Sequence, residues 1–133
     1  SIYELREATY LRAVSVSDAR GRATFTTIIP GCYMGRFPHI HAEVYPSLGK
    51  ATDYRNRVLT SQLAIPADVC KAVYNSAPAY KASIAAFARS PLERDGIFMD
   101  NTPKQLAAQT LAMTKEPDGS YRGSVTIGPQ VTA

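Results

Sequence analysis

The 133 residues contain only two histidines and two cysteines, and no CxxC pair. Without CxxC spacing, a zinc knuckle is not expected. The cysteines, Cys32 and Cys70, leave two readings open: one disulfide in an exported protein, or two buried thiols in a reducing compartment. No apolar run approaches the roughly 20 residues that span a membrane, so no membrane span is expected. The opening SIYELREATY has neither the basic start nor the apolar stretch of a signal peptide; a leader removed earlier would leave the same pattern. Runs of like charge are also missing. Fifteen Lys and Arg against eleven Asp and Glu give a net charge of +4, but the basic residues are scattered. They form no stripe or cluster, so the electrostatic footprint of nucleic-acid binding is lacking. A mild attraction for small anionic substrates is the milder consequence of that charge.

What is present is one domain's worth of chain, residues 1–133, with 45% hydrophobic and 20% charged residues. That composition can bury a core. Strands are predicted over Tyr10–Ser17 (YLRAVSVS) and Arg22–Ile29 (RATFTTII), separated by the turn residues SDARG. HIHAEVY, His39–Tyr45, alternates: Ile40, Ala42 and Val44 on one face, His39, His41 and Glu43 on the other. Val58–Pro66 reads as a further strand after a polar loop over 46–56. Helices are predicted over Ala67–Asn75, with Asp68 in the first turn and Val69 and Val73 on one face, and over Ala79–Arg89, with Tyr80, Ile84 and Phe87 aligned. Gln105–Met113 and Tyr121–Ile127 flank the turn cluster EPDGS and read as a closing hairpin. Many strands and few helices predict a mainly β fold, a sandwich with short helical excursions.

Both histidines fall in one stretch, CYMGRFPHIH, residues 32–41. At i and i+2 on a strand, two imidazoles project together and suit a metal; two half-exposed strand histidines are the plainer reading. With no third histidine in the chain, a three-histidine centre is excluded. Cys32 or Glu43 would complete a zinc site. Tyr33 offers a different one. A phenol titrates near 10, but a strongly Lewis-acidic cation displaces its proton as it does that of bound water, and a set of tyrosine plus histidines points to Fe(III). Arg36 is either a surface arginine, the usual fate of that residue, or a fixed cation beside the metal that stabilises negative charge on an oxygenated ring.

These residues carry a resemblance. TFTTIIPGCYMGRFPHIHAEV resembles the core signature of the intradiol ring-cleavage dioxygenases, the non-haem Fe(III) enzymes of the catechol and protocatechuate dioxygenase group. YLRAVSVSDARGRATFTTI is similar to the strand-turn-strand before their iron-binding loop. HAEVYPSL, TSQLAIPADVCKAVY, DGIFMD and DGSYRGSVTIG resemble the shorter, often exported branch, so the similarity covers nearly the whole chain. The resemblance implies an intradiol-dioxygenase-like β-sandwich and an exported or extracellular protein. It implies a catechol-type substrate and O2 as partners. Tyr33 matches a tyrosinate that leaves the iron when substrate binds, His39 and His41 match the two histidine ligands, and Arg36 matches an arginine over the substrate ring. Cys32 and Cys70 stand where that branch often has cysteines, which is compatible with a Cys32–Cys70 disulfide. The family's iron has a second tyrosine ligand. By alignment it would immediately precede Ser1; Tyr3 fills the role only by a shifted alignment, and Tyr10 matches a strand residue. The expected domain therefore lacks its N-terminal strands, and a missing N-terminal segment or partner chain supplies the second tyrosine and covers the exposed edge. The contrasting expectations are a zinc hydrolase and a non-catalytic β-sandwich binding module without iron.

Overall fold

A computed structural model describes residues 9–128. Ser1 and Tyr3 lie outside them. Among the described residues, four strands and three α-helices follow in chain order: β1 (His39–Val44), β2 (Leu59–Ala64), α1 (Ala67–Tyr74), α2 (Lys81–Ala88), α3 (Pro103–Gln109), β3 (Ala112–Lys115) and β4 (Tyr121–Ser124). Short 3-10 turns at Leu48–Lys50, Tyr54–Asn56, Pro78–Tyr80 and Leu92–Arg94 punctuate the connections.

The expected mainly β sandwich is not what forms. Helix accounts for 29% and strand for 18%, and the strands make two separate antiparallel pairs, β1 with β2 and β3 with β4. An isolated parallel bridge pairs Ala64, the last residue of β2, with Thr110, which ends α3 two residues before β3. Two physical reasons underlie the difference. Neither Tyr10–Ser17 nor Arg22–Ile29 belongs to a strand among the described residues. They flank a turn in which Asp18 accepts the Arg20 and Arg22 N–H groups, and apolar side chains such as Val14, Val16 and Phe25 are exposed. β-branched composition favours an extended chain, but a strand needs a partner for its N–H and C=O groups. The second reason is α3, which occupies most of the segment expected to open the closing hairpin. Thr102 and Gln105 form a reciprocal capping box, and Pro103 stands at the first helical position. The hairpin itself forms later, from Ala112 and Tyr121.

Where one face is buried, the alternation works. Ile40 and Ala42 of β1 pack against a core of Leu63, Ile65, Val69, Cys70, Tyr74 and Leu111. Residues two apart share a face, so His39, His41 and Glu43 face away from that core. α1 places Val69, Cys70 and Tyr74 in the core. α2 buries Ser83 and Ala86; of the three residues expected to align, Tyr80 and Phe87 pack against the core, while Ile84 is exposed. A second cluster, Phe37, Ala64 and Phe98, lies beneath the start of β1. Phe87 packs against both clusters and contacts Phe37 and Tyr74 with ring centroids 5.8 and 5.7 Å apart.

Candidate functional site: the histidine strand and its arginine

The chain enters β1 through a loop whose backbone is tied down from the helical side. Tyr80 Oη donates to the Ile29 carbonyl at 2.7 Å and Tyr74 Oη to the Pro30 carbonyl at 2.8 Å. The Cys32 N–H donates to Ser83 Oγ and the Gly35 N–H to Ser90 Oγ, each at 3.0 Å. Both serines are buried. Residues 33–36 close a turn, Arg36 N–H to the Tyr33 carbonyl at 3.4 Å. Its third residue, Gly35, has φ +85°, the left-handed geometry that glycine tolerates without a Cβ clash. Close approach matters at Gly31 too, where a Cβ would stand 2.9 Å from Ser83 Oγ. Gly31→Ala is therefore expected to break the Ser83–Cys32 bond and destabilise the fold by about 1–2 kcal/mol, read as a lower urea midpoint. An unchanged midpoint would show that Ser83 does not hold this loop.

His39 and His41 project from the same face of β1. His39 Nδ1 lies 2.6 Å from the Phe37 carbonyl, an acceptor only. Nδ1 must carry the proton, which leaves Nε2 as the basic nitrogen, the arrangement common to metal-binding imidazoles. The ring also meets Phe98 edge-on, centroids 6.4 Å apart. His41 Nε2 is 3.1 Å from Glu43 Oε1, and Tyr45 Oη donates to the other carboxylate oxygen. The Tyr45 hydrogen bond, then that of His41, holds the Glu43 carboxyl below its usual range, and the bond between Tyr45 and Glu43 raises the Tyr45 phenol.

Arg36 comes to this face by an indirect route. Its Nε donates to Asp95 Oδ2 at 3.0 Å and its Nη2 to Gln62 Oε1. Gln62 is the cross-strand partner of His41, and directly opposed residues share a face with Cβ atoms about 5 Å apart. One hydrogen bond thus separates the guanidinium from the neighbour of His41. Gln62 and Asp95 are site residues that sequence reading missed, being 26 and 59 positions from Arg36.

Tyr33 stands on the turn six residues before His39 and is exposed. No hydrogen bond joins its phenol to either histidine among the described residues. Cys32 turns the other way: its Sγ lies 3.5 Å from the Arg36 carbonyl, and the side chain packs against the core. Both cysteines are free thiols. Burial raises each, and it pushes Cys70 up to about 12, which leaves Cys70 unreactive near neutral pH. The zinc-type set of His39, His41, Cys32 and Glu43 is not assembled: among the described residues no three His, Cys, Asp or Glu side chains cluster as metal ligands. What the strand face holds is two imidazoles and, through Gln62, a tethered cation; the Tyr33 phenol stands exposed on the preceding turn. Imidazole and anionic phenol oxygen suit Fe(III) in chemical type. To join them, His41 must exchange its Glu43 contact for the metal or bind through Nδ1. Two clefts, of about 310 and 330 Å3, lie elsewhere and share Lys71 and Phe87; none of Tyr33, Arg36, His39 or His41 lines either.

No protein-family model matches the chain, and no curated protein or solved structure matches it.

Proposed function

We propose that this chain provides the histidine ligands of a non-haem Fe(III) intradiol dioxygenase acting on catechol-type rings. The observation that carries the reading is the His39–His41 pair on one face of β1, with Arg36 hydrogen-bonded to Gln62, the residue opposite His41. His39 and His41 would hold the metal together with Tyr33. The resemblance calls for a second tyrosinate, which we assign to a partner chain that also covers the exposed apolar side chains of residues 10–28. Bound Fe(III) supplies the Lewis acidity that makes a catechol bind as an anion and the redox coupling between ring and O2. Tyr33, as phenolate, accepts one catechol proton at its Oη when substrate enters. Arg36, a permanent cation, favours the ring form that carries negative charge. The overall conversion balances with one catechol and one O2 giving one diacid, with no other product. The bond between the two hydroxylated carbons breaks, both atoms of O2 end in a cis,cis-muconate-type diacid, and the two catechol protons become its two acid protons.

A second reading rests on the His41–Glu43 contact. There the histidines are ordinary surface residues of a non-catalytic binding module, and no iron is held. Oxygen uptake separates the two. Protein loaded with Fe(III) and given catechol should consume one O2 per diacid formed; iron-loaded protein that consumes none contradicts the dioxygenase reading. Tyr33→Phe should keep most of the iron but slow turnover roughly 100-fold or more, the scale of losing a positioned base. Iron content measured beside oxygen uptake checks this, and a variant of wild-type speed would remove Tyr33 from the chemistry.

A further inference from the structure

We infer that Asp95 is the positioning residue for Arg36, converting a mobile surface cation into one fixed on the histidine face of β1. This rests on the dioxygenase reading for the reaction that Arg36 serves, but the geometry stands by itself.

Asp95 is 1% exposed, and all its hydrogen bonds point to orientation. Oδ2 accepts from Arg36 Nε at 3.0 Å and from the Phe37 N–H at 2.7 Å. Oδ1 accepts from the Ile97 N–H at 2.8 Å and the Phe98 N–H at 3.3 Å. Its own carbonyl accepts from the Met99 N–H at 2.9 Å. One oxygen therefore holds the loop that carries Arg36, while the other is locked to the turn after Asp95. The carboxylate has little freedom to move, and it takes Arg36 through Nε, the nitrogen nearest the backbone. That grip sets the guanidinium plane and carries the Nη groups outward to Gln62, beside His41. An arginine with a single distal contact would keep much of its rotamer freedom. Held at Nε and Nη2, the fork is preorganised, and charge held in place before reaction needs no reorganisation during it. Lysine, a single ammonium on a flexible stem, cannot make both contacts from one plane. Pairing also neutralises the net charge of the cation, so orientation and not long-range field is what Arg36 contributes.

The test uses the full chain with Asp95→Asn, Gln62→Leu and Arg36→Lys. Correlated 1H–15N spectra of the arginine side chains come first because they need no catalysis. Wild-type protein should show one slowly exchanging Arg36 Nε–H, which Asp95→Asn loses. A wild-type Nε–H that exchanges as fast as those of exposed arginines overturns the inference. Kinetics with Fe(III) and catechol come second. Asp95→Asn should keep the iron and a KM within about twofold, while kcat falls up to about 100-fold, the cost of misplacing a group by about 1 Å. Arg36→Lys should lose as much, and the double variant no more than either, because the two act as a unit. An unchanged kcat in Asp95→Asn, or additive losses in the double variant, also overturns it. Gln62→Leu leaves every bond to Asp95 in place, so it serves if Asp95→Asn fails to fold: a loss in kcat at constant iron content supports the fixed fork, and full kcat contradicts it. If wild-type protein turns over no catechol, the dioxygenase reading fails, while the Nε–H exchange still decides whether Asp95 fixes Arg36.

Discussion

His41→Ala is expected to strip the protein of iron while leaving it folded. The chain has two histidines in all, so the variant keeps one imidazole and one phenol from its own residues. Its retained partner, His39, has a fixed tautomer and a ring braced against Phe98, but one well-prepared ligand does not substitute for a pair. Loss of a mere outer-shell partner of a metal ligand costs about 10–100-fold in affinity; loss of His41 itself should exceed that, and turnover should vanish with the metal. Stability should barely change. The His41 side chain is 52% exposed and touches Glu43 at the surface, and substitutions at such positions stay within roughly 0.5 kcal/mol. Metal analysis after dialysis, run beside a urea unfolding curve, reads both. Full iron and full turnover in His41→Ala would show that the paired histidines are not the ligands.

Asp95→Ala is expected to destabilise the fold by about 1–3 kcal/mol, the cost of leaving buried donors without their acceptor, since the partner cation Arg36 is itself partly exposed. Arg36 would lose its carboxylate partner and the buried Phe37 N–H its acceptor, whereas the Phe98 N–H keeps the Asp95 backbone carbonyl. The same carboxylate predicts an acid limb. Burial pushes its pKa up, but the Ile97 and Phe37 N–H groups and the Arg36 guanidinium outweigh it and hold the group below the usual carboxylate range. A folded-state pKa below the unfolded value of about 3.9 means that Asp95 contributes its full stability above that value. The contribution is lost as pH falls through the folded value. Unfolding curves at neutral pH and across the acid range should show Asp95→Asn less stable at neutral pH and the difference narrowing towards acid. A gap that stays constant with pH would mean that Asp95 is not ionised in the folded protein.

Much of the candidate site is legible in the sequence because it is local. The period of two in HIHAEVY places both imidazoles on one face without knowledge of any contact, and the core packing of the partly buried Ile40 and Ala42 agrees, although Val44 at the strand end is exposed. The helix at Ala67 is equally plain from its spacing. The tethers of Arg36 are not legible: Gln62 and Asp95 are distant in sequence, and nothing in DGIFMD or TSQLA marks either side chain as its partner. Two expectations fail for identifiable reasons. In YLRAVSVS and RATFTTII, β-rich composition suggests pairing, although pairing is a property of neighbours. In TPKQLAAQ the threonine, proline and glutamine of a capped helix start are present, but the later apolar residues and the EPDGS turn point towards a strand. Ile84 shows the limit of helical spacing alone: Tyr80 and Phe87 of the same apolar stripe meet the core, but Ile84 lies at its edge and is exposed.

The measurement that bears most directly on the central claim is a visible absorption spectrum of the iron-loaded protein, before and after adding catechol. Tyrosinate on Fe(III) absorbs visible light by charge transfer from ligand to metal. The account predicts a coloured protein whose band shifts when catechol binds and is lost in His41→Ala. A protein that stays colourless with Fe(III) and with catechol would contradict it, and would leave His39 and His41 as surface residues of a strand.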